Sequence, residues 1–177
     1  MNTTRFNFIP FPVLATERLA LREITTNDDQ EIFFQRSDKS MNAYVANPPC
    51  KTIEEARAWI EKISAGTFKG EWIFWGVCLK DDPTLIGGFC YWNLSSESRK
   101  AEIGFGIYPQ HQGKGFMNEV LQTALQYGFE VMKLKCIEAY THPENKASIS
   151  VLEKNGFVLK EEQPAAEEHY IVFEVLK

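Results

Sequence analysis

The chain has 177 residues, enough for one domain with a sizeable core or for two very small ones. Hydrophobic residues make up 44% and charged residues 24%, an ordinary globular balance, and no apolar run approaches the length that crosses a bilayer. The net charge of −5 counts against nucleic acid as a main partner, because a phosphate-backbone binder needs a basic face; it is compatible with a cationic substrate such as an amine.

The opening stretch "MNTTRFNFIPFPVL" carries an arginine and aromatics, but no continuous apolar core and no small-residue cleavage site, so it reads as mature chain. Thr16–Ile24 alternates Leu19 and Leu21 with Arg18, Ala20 and Arg22, which predicts a strand. In "TTNDDQEIFFQ", Thr26 and Asp29 have the spacing of a capping box, which predicts a short helix. Thr52 and Glu55 repeat the device before Ile53, Ala56, Trp59, Ile60 and Ile63, which share one helix face. The period then changes. Trp72–Lys80 reads as a strand, "DDPT" as a turn and Leu85–Trp92 as the partner strand of a hairpin. Its aromatics Trp72, Phe74, Trp75, Tyr91 and Trp92 must alternate between the core and the other face, and the sequence does not assign which is which.

"LSSESRK" reads as a polar loop, and Ala101–Tyr108 as a strand that Pro109 ends. A long helix follows from Gly115 to Met132, with Val120, Leu121, Ala124, Leu125, Gly128 and Met132 on its buried face. Lys135–Thr141 is a strand. Asn145 caps the next helix and Asn155-Gly156 stops it. His169–Leu176 is the closing strand. The order predicts a single α/β domain over residues 1–177, built around a mixed sheet.

Cys50, Cys78, Cys90 and Cys136 form no C-x-x-C pair, no histidine sits at metal-ligand spacing, and three of the four lie in apolar strand-like runs. They read as buried small hydrophobes of a reducing cytoplasm, and no metal is expected.

"PQHQGKGFMNEVL" sits between a strand and the long helix. It lacks the Ser or Thr of a Walker loop, and position 118 is Asn where a dinucleotide fingerprint needs glycine. What remains is Q-x-x-G-x-G over Gln110–Gly115. Glycines let backbone approach a ligand closely, and free N–H groups at a helix start attract an anion. A plain glycine turn explains the spacing equally well.

In this context the pattern resembles the acetyl-coenzyme A signature of the GCN5-related N-acetyltransferases (GNAT). "TERLALRE", "AEIGFGIYPQHQGKGFMNEVL" and "NKASISVLEKNGF" resemble, in order, three stretches of the branch that acetylates N-termini of ribosomal proteins (RimJ/RimL-like). Together they span Thr16 to Phe157. The resemblance implies a mostly antiparallel sheet that splays between its fourth and fifth strands. It implies acetyl-CoA as co-substrate. Phe105, Gly106 and Ile107 would line the pantetheine arm. The amides of Gln112, Gly113, Lys114, Gly115, Phe116 and Met117 would hold the pyrophosphate. Asn145 would stand near the thioester.

The implied chemistry is direct attack of a neutral amine on the thioester. Many relatives protonate the leaving thiolate with a tyrosine, whose position here is Leu152; the N-terminal branch has a serine at the position of Ser148. The bland reading of Ser148 and Asn145 is local backbone bonding and capping. Glu102, on the strand beside the cofactor, is the candidate base, against a solvent-facing or ion-paired carboxylate. Glu167, Glu168 and His169 enter the closing strand and are weaker candidates, as are His111 and His142. Glu119 is explained by complementing the helix dipole. An α-amine has a pKa of about 7.7–8.0 and a lysine about 10.4, so a modest base favours an α-amine. The expected acceptor is therefore a peptide or protein N-terminus. A small amine (a polyamine, amino sugar or antibiotic) and a non-catalytic CoA-binding module are the alternatives. Neither nucleic acid nor membrane is an expected partner, and a homodimer is left open.

Overall fold

A computed structural model describes residues 6–44, 48–160 and 170–177. In chain order the elements are β1 (Leu14–Ala15), β2 (Leu19–Arg22), α1 (Asp29–Ser37), α2 (Ile53–Phe68), β3 (Ile73–Leu79), β4 (Asp82–Ser95), β5 (Lys100–Ile107), α3 (Phe116–Gln126), β6 (Cys136–Thr141), α4 (Lys146–Lys154), β7 (Val158–Leu159) and β8 (Ile171–Leu176). The strands form one eight-stranded sheet in the order β1-β2-β3-β4-β5-β6-β8-β7. Every neighbouring pair is antiparallel except β5 and β6, which run parallel. Among the described residues no helix is long and apolar enough to cross a membrane.

The two faces of the sheet carry separate cores. On one, Trp75, Phe89, Tyr91, Ile103 and Phe173 pack with Val120, Leu121 and Ala124 of α3. On the other, Phe74 and Leu85 pack with Ile32 of α1 and Ala56 and Ile60 of α2. The period-2 alternation therefore divides the hairpin aromatics. Trp75 and Tyr91 face α3, Phe74 faces α1 and α2, and Trp92 remains 43% exposed.

Local chemistry moves several boundaries. The capping box is Thr25 with Asp28, one residue before the expected Thr26 and Asp29. Arg22 decides the register, because its guanidinium grips both Asp28 oxygens at 2.7 and 3.0 Å, while Asp29 pairs with Arg57 of α2 at 2.7 Å. The hairpin turn is only Lys80-Asp81. Asp82 already pairs with Leu79, and a bulge accommodates Pro83, which has no N–H to give the ladder. β4 runs through the expected polar loop as far as Ser95. The closing strand begins at Ile171; Glu167, Glu168 and His169 lie outside the described residues.

The long helix also departs from regularity. Beyond Gln126 it widens into a π-turn over Tyr127–Val131, closed by the Met132 amide on the Tyr127 carbonyl at 3.1 Å. The buried Tyr91 hydroxyl donates to the Ala124 carbonyl at 2.8 Å, an insertion into the helical ladder. Gly128 makes room for it, since a Cβ there would lie 2.5 Å from the Tyr91 oxygen. Gly128→Ala should therefore destabilise the fold by about 1–3 kcal/mol. Tyr91→Phe in the same chain should recover part of that loss. Thermal unfolding of the two single variants and the double variant checks both statements.

Candidate functional site

β5 and β6 pair only from Lys100–Cys136 to Ile103–Ala139. Beyond Ile103 the two strands part, and Gly104–Ile107 keep a neighbour on the β4 side alone. Strand residues turn their N–H and C=O to alternate sides. The Tyr108 amide points to β4, where it bonds the Ile86 carbonyl at 2.8 Å. By alternation the backbone groups of Phe105 and Ile107 point into the gap and those of Gly106 point to β4. The Ile107 carbonyl is already taken by the Gln112 side-chain amide at 2.9 Å. What the gap offers is the N–H of Phe105 and Ile107 and the C=O of Phe105.

The glycine turn closes one end of the gap. Gly113 and Gly115 adopt φ of +73° and +78°, left-handed values that suit glycine. Gly115 is the N-cap of α3 and contributes no side-chain cap. Among the described residues no backbone carbonyl takes the amides of Gly113, Lys114, Gly115, Phe116 or Met117. The Gln112 amide is different: it is spent on the Pro109 carbonyl at 3.3 Å. Gln112 thus shapes the loop from both its backbone and its side chain. The result is a concave row of unspent donors at the positive end of a helix, a donor set suited to a phosphate.

A clamp from the other end of the chain holds this row. The Glu119 carboxylate accepts from the Thr16 hydroxyl at 2.6 Å and from the Arg18 guanidinium at 2.5 Å. Arg18 also donates to the Lys114 carbonyl at 2.9 Å and stacks over the Phe116 ring at 4.5 Å. Burial alone would raise the Glu119 carboxyl; the Thr16 and Arg18 bonds outweigh it and hold the group below its usual range. Sequence reading gave Glu119 a dipole role only and gave Arg18 no role. The signal available was the polar Thr16 and Arg18 just ahead of the apolar Leu19, Ala20 and Leu21.

α4 and its N-cap carry the remaining candidates, Ser148 and Asn145. Asn155 near its end donates to Asn118 of α3 at 3.0 Å, so the two helices meet at the glycine turn. The Asn145 side-chain oxygen caps α4 by accepting the Ser148 amide at 3.2 Å. The half-buried Ser148 hydroxyl has no hydrogen-bond partner among the described residues. Leu152 is 0% exposed and packs in the α3-side core.

On the opposite face, Gly104 and Gly106 present no side chains. A Cβ at Gly104 would stand 3.0 Å from the Cys90 sulfur, and one at Gly106 would stand 3.6 Å from Met41 Cε. Tyr44 stacks on His142 with centroids 5.2 Å apart, and the Tyr170 hydroxyl reaches the Tyr44 carbonyl at 3.4 Å. Below the glycines, register aligns Trp92, Glu102, Glu138 and Glu174 across four strands. Glu138 is 3% exposed and bonds Lys100 at 2.7 Å and Lys160 at 3.0 Å; Glu174 also takes Lys160, at 3.1 Å. Cys136, Glu138 and Glu174 lie close enough to share a cation, and the Lys160 ammonium already bonds both carboxylates. Glu102 is half-buried, and burial raises its carboxyl. His111 sits in a short 3-10 turn at Pro109–His111, on the loop side of the strand end. An open depression of about 470 Å³, lined by Trp72, Trp92, Asn93 and Leu94, ends the row.

Comparison with known proteins agrees with this geometry. Residues 18–158 match the family described as an acetyltransferase (GNAT) domain. The chain is 36% identical to the uncharacterized N-acetyltransferase YoaA of Bacillus subtilis, with 83% of each chain covered. It is 26% identical to the spermidine N(1)-acetyltransferase of Vibrio cholerae, over 87% of this chain and 86% of that one. In fold it is similar to the ribosomal-protein-S5-alanine acetyltransferase of Vibrio fischeri, with a TM-score of 0.79, 21% identity and coverage of 93% and 96%. The parted strands, the uncapped glycine turn and these matches lead to one conclusion: the chain is an N-acetyltransferase of the GNAT family.

Proposed function

We propose that this chain transfers an acetyl group from acetyl-CoA to the N-terminal α-amine of a peptide or protein. The observation that carries this reading is at α4. Leu152 is fully buried at the position where many relatives have an acidic tyrosine, while the Ser148 hydroxyl on the same helix has no hydrogen-bond partner among the described residues. Serine at that position is the pattern of the N-terminal branch that the sequence resembles.

When bound, acetyl-CoA supplies the acetyl thioester. The amides of Gly113–Met117 and the α3 dipole would carry the pyrophosphate charge, with Arg18 and Glu119 keeping the turn in shape. The N–H groups of Phe105 and Ile107 are the donors available to an acetyl oxygen as it gains charge. Asn145 would border the cofactor while it caps α4. The Ser148 hydroxyl is the donor available to the leaving sulfur. On the open face, Glu102 takes the proton that the amine must shed. Its carboxyl titrates above the usual range, which makes it a better base than an exposed glutamate. Such a base suits an α-amine better than a lysine.

A second reading, a small polycationic amine, draws on the row of Trp92 and the three carboxylates and on the similarity to the spermidine enzyme. The first reading is preferred because Lys100 and Lys160 already neutralise Glu138 and Glu174. A cytoplasmic setting is proposed with either acceptor.

Thiol release from acetyl-CoA against a panel of peptides and small amines separates the two. Peptide α-amines should turn over fastest; turnover confined to spermidine or an aminoglycoside would overturn the first reading. Ser148→Ala should lower kcat roughly a hundredfold, a typical acid-catalysis contribution, with acetyl-CoA affinity little changed. An unchanged kcat removes Ser148 as the acid. Arg18→Ala should weaken acetyl-CoA binding roughly tenfold, the scale of a lost charge-assisted hydrogen bond, and leave saturated turnover near wild type. Calorimetric titration with CoA reads this directly.

A further inference from the structure

Asn93 has φ of +47°, in the left-handed region that costs a side-chain-bearing residue conformational energy. It sits where β4 and β5 lose step. Trp92 pairs with Glu102, yet the next pair is Ser95 with Lys100, so Asn93 and Leu94 together oppose Ala101. This is a β-bulge with its first residue left-handed. In a regular strand Asn93 would face away from its neighbour Trp92, and so away from Glu102. The bulge turns it back, and its side-chain amide donates to Glu102 Oε2 at 2.9 Å.

No other donor to Glu102 occurs among the described residues. Lys100, two residues along the same strand, spends its ammonium on Glu138 at 2.7 Å. Cys90 of β4 and Glu138 and Tyr140 of β6 also face Glu102; the thiol is held neutral by burial, and the Tyr140 hydroxyl donates to Glu138 instead, at 3.3 Å. Oε2 is therefore fixed by Asn93, and Oε1 has no partner among the described residues.

We propose that Asn93 is a positioning residue for the transfer: the bulge exists to aim its amide at Glu102 Oε2, which fixes the carboxylate and leaves Oε1 to take the proton of the acceptor amine. This rests on the reading of Glu102 as the base. Burial and the neighbouring Glu138 raise the Glu102 carboxyl, while the Asn93 bond and the Lys100 charge oppose them. The sign follows. Removing the amide raises the carboxyl further, so the base form is lost at a higher pH, and the acid limb of kcat moves to higher pH.

The discriminating variant is Asn93→Gly. Glycine accepts positive φ without strain, so it preserves the bulge and removes only the amide. Asn93→Asp keeps the shape with a like charge and serves if the glycine chain folds poorly. Two readouts apply: the carbon-13 NMR titration of the Glu102 carboxyl, which needs no acceptor, and the pH profile of kcat with the fastest amine of the panel. Both variants should raise the Glu102 midpoint. Both should lose roughly tenfold in kcat at pH ~6 and recover most of it at pH ~9, as expected for one hydrogen bond to a charged group. Wild-type titration and profile in Asn93→Gly would overturn the proposal and leave Asn93 a residue chosen for its backbone alone. Glu102→Gln separates the two layers. If it turns over like wild type, the base reading fails; if it is inactive while Asn93→Gly is normal, only the positioning role fails.

Discussion

β5 and β6 hydrogen-bond over four residue pairs and then part. Backbone groups inside a protein must find partners, so a strand edge opened within a sheet is a demand as well as a feature. The chain meets one part of that demand itself, by laying the Gln112 amide on the Ile107 carbonyl. The rest, the N–H groups of Phe105 and Ile107 and the Phe105 carbonyl, stays open along the strand. The glycine turn stands at one end of the gap, and Gly104 and Gly106 leave one face of β5 without side chains beside it.

The glycine turn gains its shape from far away in sequence. The left-handed glycines and the uncapped helix start make the donors available, and the Thr16–Arg18–Glu119 clamp fixes where they point. The clamp ties the first strands of the chain to α3, and α3 to α4 through Asn118 and Asn155. A similar division of labour operates on the face that carries Glu102. Lysines neutralise Glu138 and Glu174, while Glu102, the proposed base, has a neutral amide partner.

Features with local causes were legible in the sequence. The Thr52 cap of α2, the strand periods, the glycine turn and the Asn145 cap all depend on residues within a few positions of each other. "TTNDD" offered two registers for one capping box, and only Arg22 and Arg57 choose between them. The π-turn was hidden because Tyr91, whose hydroxyl bonds the helix just ahead of it, lies on a distant strand. Glu119 looked complete as a helix-dipole charge because its partners lie 101 and 103 residues earlier. Asn93 fell between the expected strand and the expected loop, because a bulge is a mismatch between two strands and neither strand alone reveals it. Resemblance to the family supplied the gap itself; no spacing in β5 or β6 announces where their pairing stops.

The central claim is that the gap and the glycine turn together form the acetyl-CoA site. Amide-resolved hydrogen exchange with and without CoA tests it most directly. The account predicts slowed exchange at Phe105, at Ile107 and across Gly113–Met117, with no matching change at Glu138 or Glu174. Unchanged exchange at Phe105 and Ile107 under saturating CoA, or protection that appears only elsewhere on the sheet, would contradict it.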